Sequence, residues 1–269
     1  MDAPFDLVAN QIVAGITIGG RGPFVCLLDT AVAPSVVDLE LARELGLPVR
    51  DDVPGEVAGA GSEAATFYPS ELPDVRLDEL ELGDIEAVAA DLSRLASALK
   101  QPLHAILGQS FFEGRVVQFD YPKRRVRLNP DGFQRGMRAA IEGAVDLTPV
   151  VTVRVNAASV PVVLDTGSSL TLGIYLDAVE KLGLVDALAG ATPRASMGAR
   201  GNVEAREGVV DSLVLGDVQL SPAAAVFLPR PHGDPAGALG NLGNGFLQHT
   251  VLTLDYPRRE LYVAGSDPV

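Results

Sequence analysis

The 269-residue chain has no tryptophan, one cysteine, three histidines and only 5% aromatic residues. One cysteine, Cys26, excludes an internal disulfide and carries no metal-ligand spacing. It sits in an apolar run, where a buried packing role is expected. His104, His232 and His249 are not spaced as ligand pairs, so no metal site is expected. No G-x-S-x-G elbow accompanies them, which argues against a Ser-His-Asp hydrolase. No run of about 18 apolar residues exists, so no membrane span is expected. The residues Met1 to Asp6 lack the basic and apolar regions of a signal peptide. Basic residues are outnumbered 35 to 21, giving a net charge of −14, and they are scattered. That balance argues against nucleic acid and against an anionic membrane surface.

What is present is ordinary globular composition, 47% hydrophobic and 21% charged, with 28 glycines and 19 prolines punctuating short apolar runs. One run stands out. Val160 to Leu164 reads as a buried strand, and it ends in Asp165-Thr166-Gly167-Ser168-Ser169. A carboxylate closing an apolar strand is costly unless it is paired, hydrogen-bonded or protonated. Alone, Asp-Thr-Gly is an ordinary polar turn. It has a twin, however, in Phe24-Val25-Cys26-Leu27-Leu28-Asp29-Thr30-Ala31-Val32, 136 residues earlier.

The twinning extends along the chain. Ile106-Leu107-Gly108 is echoed by Asn241-Leu242-Gly243 at an offset of 135, as is Asp120-Tyr121-Pro122 by Asp255-Tyr256-Pro257. Leu41 to Leu47 matches Ala178 to Leu184, each read as a short helix closed by glycine, Gly46 or Gly183. Leu80-Glu81-Leu82-Gly83-Asp84 matches Leu213-Val214-Leu215-Gly216-Asp217, each read as a hairpin turning at Gly-Asp. Features recurring in order at one offset mark an internal duplication. The expected architecture is all-β with a few short helices, in two lobes related by a pseudo-twofold axis. The expected division is a first lobe at 1–130, a connector at 131–144, readable as a helix over Phe133 to Ile141, and a second lobe at 145–269.

Such an axis would bring Asp29 and Asp165 face to face. Two close carboxylates share a proton over a broad pH range. One then serves as base towards water while its protonated partner polarises a carbonyl, the chemistry of amide hydrolysis without metal, histidine or covalent nucleophile.

These paired Asp-Thr turns, each followed downstream by an apolar-Gly pair, resemble the aspartic proteases, both pepsin-like and retropepsin-like. The chain looks like two retropepsin-like units fused in tandem, as in bacterial aspartyl-protease-family proteins. The resemblance implies a bilobal acid-protease fold, a peptide or protein substrate, no cofactor, a monomeric fused pseudo-dimer, and a periplasmic or secreted setting. It implies that Asp29 and Asp165 are the catalytic dyad, supported by Thr30, Thr166, Gly167 and Ser168. The threonines would bond across the axis, and the Ser168 hydroxyl would bond the outer oxygen of Asp165. Leu107-Gly108 and Leu242-Gly243 would pack behind the two loops. Gly59, Ala60 and Gly61 in the first lobe, and Gly198 and Ala199 in the second, are the flap candidates over a substrate.

The first loop departs from the pattern, with Ala31 in place of glycine and Val32 in place of the usual serine, threonine or alanine. Asp165 should then be the better hydrogen-bonded and more readily ionised acid. The departure leaves two readings open: an aspartic endopeptidase, or a catalytically silent module binding peptide or a partner in the same cleft. A generic β-sandwich binding protein does not explain the shared offset. Pro229 to Gly237 is the most loop-like segment and leads into Leu242-Gly243, where it could border a cleft; it reads as a surface connection.

Overall fold

A computed structural model describes residues 2–56, 61, 66–142, 148–198, 201–235 and 237–265. The described residues are mostly β-strand with a few short helices, arranged as three sheets. An eight-stranded sheet is drawn from the first half of the chain and a nine-stranded sheet from the second. A six-stranded sheet takes three strands from each half. One apolar core runs through both halves, with Leu28, Phe111 and Phe119 in the same cluster as Leu164, Phe246 and Leu252.

The six-stranded sheet carries the symmetry. Val116–Asp120 from the first half pairs antiparallel with Thr250–Asp255 from the second, and Gln118 stands opposite Thr253. Those two positions are equivalent in the duplication, so the pseudo-twofold axis passes between them. The Gln118 amide donates to the Thr253 hydroxyl at 3.0 Å, with both side chains buried. Arg125–Leu128 and Asp2–Pro4 extend the sheet on one side. Glu260–Gly265 and Met137–Ala140 extend it on the other. Residues 133–141, read from sequence as a helix, therefore supply an edge strand, with Gly136 at a φ of +79° just ahead of it. The edge of the sheet offers Met137–Ala140 a ladder partner, which a short helix interrupted by glycine cannot match.

The two aspartates each follow a strand held on both flanks. Arg21–Leu28 pairs antiparallel with Gln11–Ile18 and parallel with Ala105–Leu107. Ala158–Leu164 likewise pairs antiparallel with Val150–Val155 and parallel with Gly240–Leu242. A strand covered on both faces reads as an unbroken apolar run, and Cys26, Leu27 and Leu28 are all buried. The Cys26 thiol is fully enclosed and pushed up to about 12 by that burial, in keeping with its packing role.

Other local readings divide. Helix Leu39–Leu45 forms with Asp38 accepting from the Glu40 and Leu41 amides and with Gly46 as a left-handed cap. Its expected twin tightens into a 3-10 turn at Leu176–Ala178, and the chain reverses at Gly183, φ +68°. The Gly-Asp echo separates more sharply. Leu213–Leu215 and Val218–Leu220 do form a hairpin around Gly216-Asp217. In the first half, Leu80–Ala90 runs straight through Gly83-Asp84, where Gly83 (φ +73°) sits at an irregularity opposite Val75. The structural counterpart of Leu213–Leu215 is Val75–Leu77. Each pairs with its half's first long strand, Val214 opposite Arg154 and Leu77 opposite Ile16. The sequence match was a coincidence of small turn residues.

Candidate active site

The Asp loops are built on the same backbone bonds. The Asp29 amide donates to the Leu107 carbonyl at 3.0 Å, and the Asp165 amide to the Leu242 carbonyl at 2.9 Å. One step further, the Gln109 amide donates to the Val32 carbonyl and the Asn244 amide to the Ser168 carbonyl, at 2.7 and 2.8 Å. The Leu-Gly pairs therefore lie directly against the loops. A Cβ on Gly108 would come within 2.4 Å of the Val32 carbonyl oxygen, and one on Gly243 within 2.5 Å of the Leu170 carbonyl oxygen. Only glycine fits either place.

Thr30 and Thr166 lock the loops together. The Thr30 hydroxyl donates to the Leu164 carbonyl at 2.6 Å and accepts from the Thr166 amide at 3.1 Å. The Thr166 hydroxyl donates to the Leu28 carbonyl at 2.8 Å and accepts from the Thr30 amide at 3.0 Å. Both threonines are buried, so six polar groups from opposite halves satisfy one another through four hydrogen bonds with no help from solvent.

The carboxylates meet at Gly167. In each loop the amide two residues on donates to the aspartate's Oδ1, Ala31 to Asp29 at 2.8 Å and Gly167 to Asp165 at 3.0 Å. Asp29 also leans on Gly167, since a Cβ there would stand 2.0 Å from Asp29 Oδ2. One glycine thus touches both acids. Burial raises both carboxyls above the ordinary Asp range, although each aspartate keeps partial exposure. Asp29 is raised further, with the charge of Asp165 the second cause. Asp165 is raised less because the Asn241 amide and nearby backbone N–H groups offset its burial.

Asp165 is the better hydrogen-bonded acid, as expected, but not through Ser168. Asn241 Nδ2 donates to Asp165 Oδ2 at 3.2 Å, while the Ser168 hydroxyl turns away and accepts from the Leu170 amide at 3.3 Å. Asn241 precedes Leu242-Gly243, and its counterpart before Leu107-Gly108 is the apolar Ile106. Reading the repeat for likeness hides such a residue. The difference at one position was the signal.

Three further groups are coupled electrostatically to the acids. Tyr121 is raised by burial and by the charge of Asp165, and Tyr256 by burial and by the charge of Asp29. The tyrosine of each Asp-Tyr-Pro turn therefore serves the opposite half. The Tyr121 hydroxyl donates to Asn244, whose amide donates to the Thr166 carbonyl, both at 2.6 Å. The third is Asp234, in the segment read as a surface connection. It accepts from the Tyr175 hydroxyl, is half-buried, and its charge pushes Asp165 upward. Arg230 lies 4.7 Å from the Tyr175 ring centre and pairs with Asp177. From the first half, Gln11 Nε2 reaches the Gly167 carbonyl at 2.5 Å.

Of the flap candidates, Gly59, Ala60 and Ala199 lie outside the described residues. Gly61 is described with a φ of +111°. Gly198 ends strand Thr192–Gly198 opposite Gly201, which opens Gly201–Val210. Val203 and Ala205 of that hairpin pack in one cluster with Leu170 and Tyr175, beside the Asp165 loop. His104 accepts the Val25 amide at Nδ1, a bond internal to the sheet.

Ala31 carries the methyl that its twin Gly167 has no room for. It packs against Val150, Val163 and Ala238 of the second half and keeps a negative φ. The alanine is thus absorbed by apolar contact rather than by displacing the loop.

No curated protein matches the chain. The aspartyl protease family model matches residues 14–111 and 151–245, and each segment includes one Asp-Thr turn and one Leu-Gly pair. With two interlocked Asp loops, a mostly β fold in two lobes and a family match over most of its length, the chain belongs to the aspartyl protease family.

Proposed function

We propose that the protein is an aspartic endopeptidase in which Asp29 and Asp165, one from each half, hydrolyse a peptide bond held between the lobes. The observation that carries this reading is Gly167, whose amide bonds one carboxylate while the other rests on its Cα. Acids brought this close cannot both ionise readily, so a single proton is shared across a broad pH range. The ionised carboxylate takes a proton from water as the water oxygen bonds to the scissile carbonyl carbon. The protonated partner meanwhile supports the carbonyl oxygen. Collapse of the tetrahedral intermediate breaks the C–N bond, and a proton passes to the leaving nitrogen. Thr30 and Thr166 hold the loops in register, with the segments around Gly61 and Gly198 as flaps. The lobes divide at 1–130 and 145–269 around the intervening strand, and the fused chain works as a monomer.

The packing of Ala31 favours this reading over a silent peptide-binding module, since the altered loop keeps its twin's bonds at three places: the Asp29 amide to Leu107, the Ala31 amide to Asp29 and the Gln109 amide to Val32. The test is cleavage of a mixed peptide library across a pH series, read by mass spectrometry. Wild type should cleave, and Asp29→Asn and Asp165→Asn should each lose roughly 1,000-fold or more. Cleavage surviving in both variants sinks the dyad. Peptide binding without cleavage by wild type transfers the cleft to the silent-module reading.

A further inference from the structure

Asn241 stands where the duplication places Ile106 in the first half. Both side chains precede the Leu-Gly pair, on the short strand lying parallel to the one that delivers the aspartate. Ile106 is buried in an apolar cluster with Val13 and Leu27. Asn241 instead gives Nδ2 to Asp165 Oδ2 at 3.2 Å. Its Oδ1 is buried without a hydrogen-bond partner, pressed on Gly173, where a Cβ would stand 1.9 Å away. An unpaired buried carbonyl is a cost that a packed apolar side chain such as isoleucine avoids. A side chain that spends one end unsatisfied to aim the other at a carboxylate has its orientation set by that carboxylate.

Resting on the dyad reading above, we propose that Asn241 is a positioning residue that fixes which aspartate begins the reaction as base. Its amide holds Asp165 ionised and leaves the shared proton on Asp29. The amide can only donate from Nδ2, so it favours the charged form of its partner. Among the described residues no side-chain amide donates to Asp29, whose other neighbour is the Gly167 backbone. Removing the donor leaves Asp165 with the protonated Asp29 and the like charge of Asp234, with Tyr121 and Tyr175 electrostatically coupled to it and Arg230 engaged by Asp177. The two carboxyls then approach equivalence, and Asp165 holds its proton to higher pH.

The experiment is a carbon-13 carboxyl titration of the aspartates in wild type, Asn241→Ile and Asn241→Leu, with Asp165→Asn and Asp29→Asn assigning the signals. Asn241→Ile installs the first half's residue, and Asn241→Leu keeps the asparagine outline if the branched side chain disturbs the strand. The Asp165 midpoint should rise by about one pH unit in the variants, as expected for a lost charge-assisted hydrogen bond. The acid limb of the peptide-cleavage profile should rise with it, lowering kcat at acid pH while KM stays near wild type. An unchanged Asp165 midpoint in a folded variant overturns the proposal. The titration needs no turnover, so it separates this proposal from the dyad reading. A wild type that never cleaves peptide defeats the latter, while a midpoint that does not move defeats the former.

Discussion

The two Asp loops share a backbone and differ in their side chains. Asp29 and Asp165 receive the same amide two residues on, donate to equivalent leucine carbonyls and interlock through equivalent threonines. Yet Ala31 stands where Gly167 is, Val32 where Ser168 is, and Ile106 where Asn241 is. Main-chain bonds carry the shape of the site. The unmatched side chains carry its charge distribution, and they make one acid unlike the other.

Several substitutions would break or sharpen that contrast. The largest effect falls on the matched glycine and alanine. Gly167→Ala drives a methyl into the Asp29 carboxylate and should cost roughly 100-fold in kcat/KM, as displacements near 1 Å do. Ala31→Gly gives up apolar contact and some backbone restriction, costing about 0.5–1 kcal/mol of stability with activity within about threefold. Equal losses of activity from the two would remove the asymmetry at this position.

Next comes the interlock, where the loops should behave alike. Thr30→Val strands the Leu164 carbonyl and the Thr166 amide, and Thr166→Val strands the Leu28 carbonyl and the Thr30 amide. Each should lose about 2–3 kcal/mol in urea unfolding. A difference of more than about 1 kcal/mol between them would show that the halves bear the junction unequally.

Stability against pH gives a smaller effect with a definite sign. Folded Asp29 holds its proton more tightly than an unfolded Asp, so its contribution to stability falls as pH climbs from the unfolded value through the raised folded one. Asp29→Asn removes that loss. It should be about 1 kcal/mol more stable than wild type at neutral pH, a modest figure because the carboxyl keeps partial exposure. The advantage should vanish below about pH 3, where both states are protonated. Asp165→Asn should gain less, since its carboxyl is raised less and loses its bond from Asn241. Thermal melts at several pH values measure both.

The smallest effect belongs to Asp234, whose charge pushes Asp165 upward. Asp234→Asn should lower the acid limb of the cleavage profile by less than about half a pH unit. An upward shift would mean that the Tyr175 hydroxyl, released from Asp234, matters more than the lost charge.

The sequence was legible wherever backbone geometry forces a residue type on both copies. The apolar strands, the Asp-Thr turns, the packed glycines at 108 and 243 and the left-handed cap at Gly46 all follow from steric rules that act locally. What stayed hidden depends on contact between distant segments. Strand Met137–Ala140 exists because the shared sheet offers it an edge, and nothing within the segment says so. Asp234 turns inward because Tyr175 lies there. Asn241 differs from its twin, and a search for likeness passes over it. The Gly-Asp echo at 83 and 216 shows the converse, since likeness of letters without likeness of pairing misled.

The pairing of Gln118 with Thr253 has a consequence for assembly. An axis through two identical subunits forces a residue there to meet itself, glutamine on glutamine or threonine on threonine. Here the amide of one half finds the hydroxyl of the other, and the Gln118 carbonyl oxygen is free to accept from Arg127 at 3.1 Å. Two first halves brought together would set two buried glutamine amides head to head, and two second halves would leave a pair of short hydroxyls without that reach. Tandem linkage keeps the two halves as an unequal couple, with a glutamine facing a threonine at the axis.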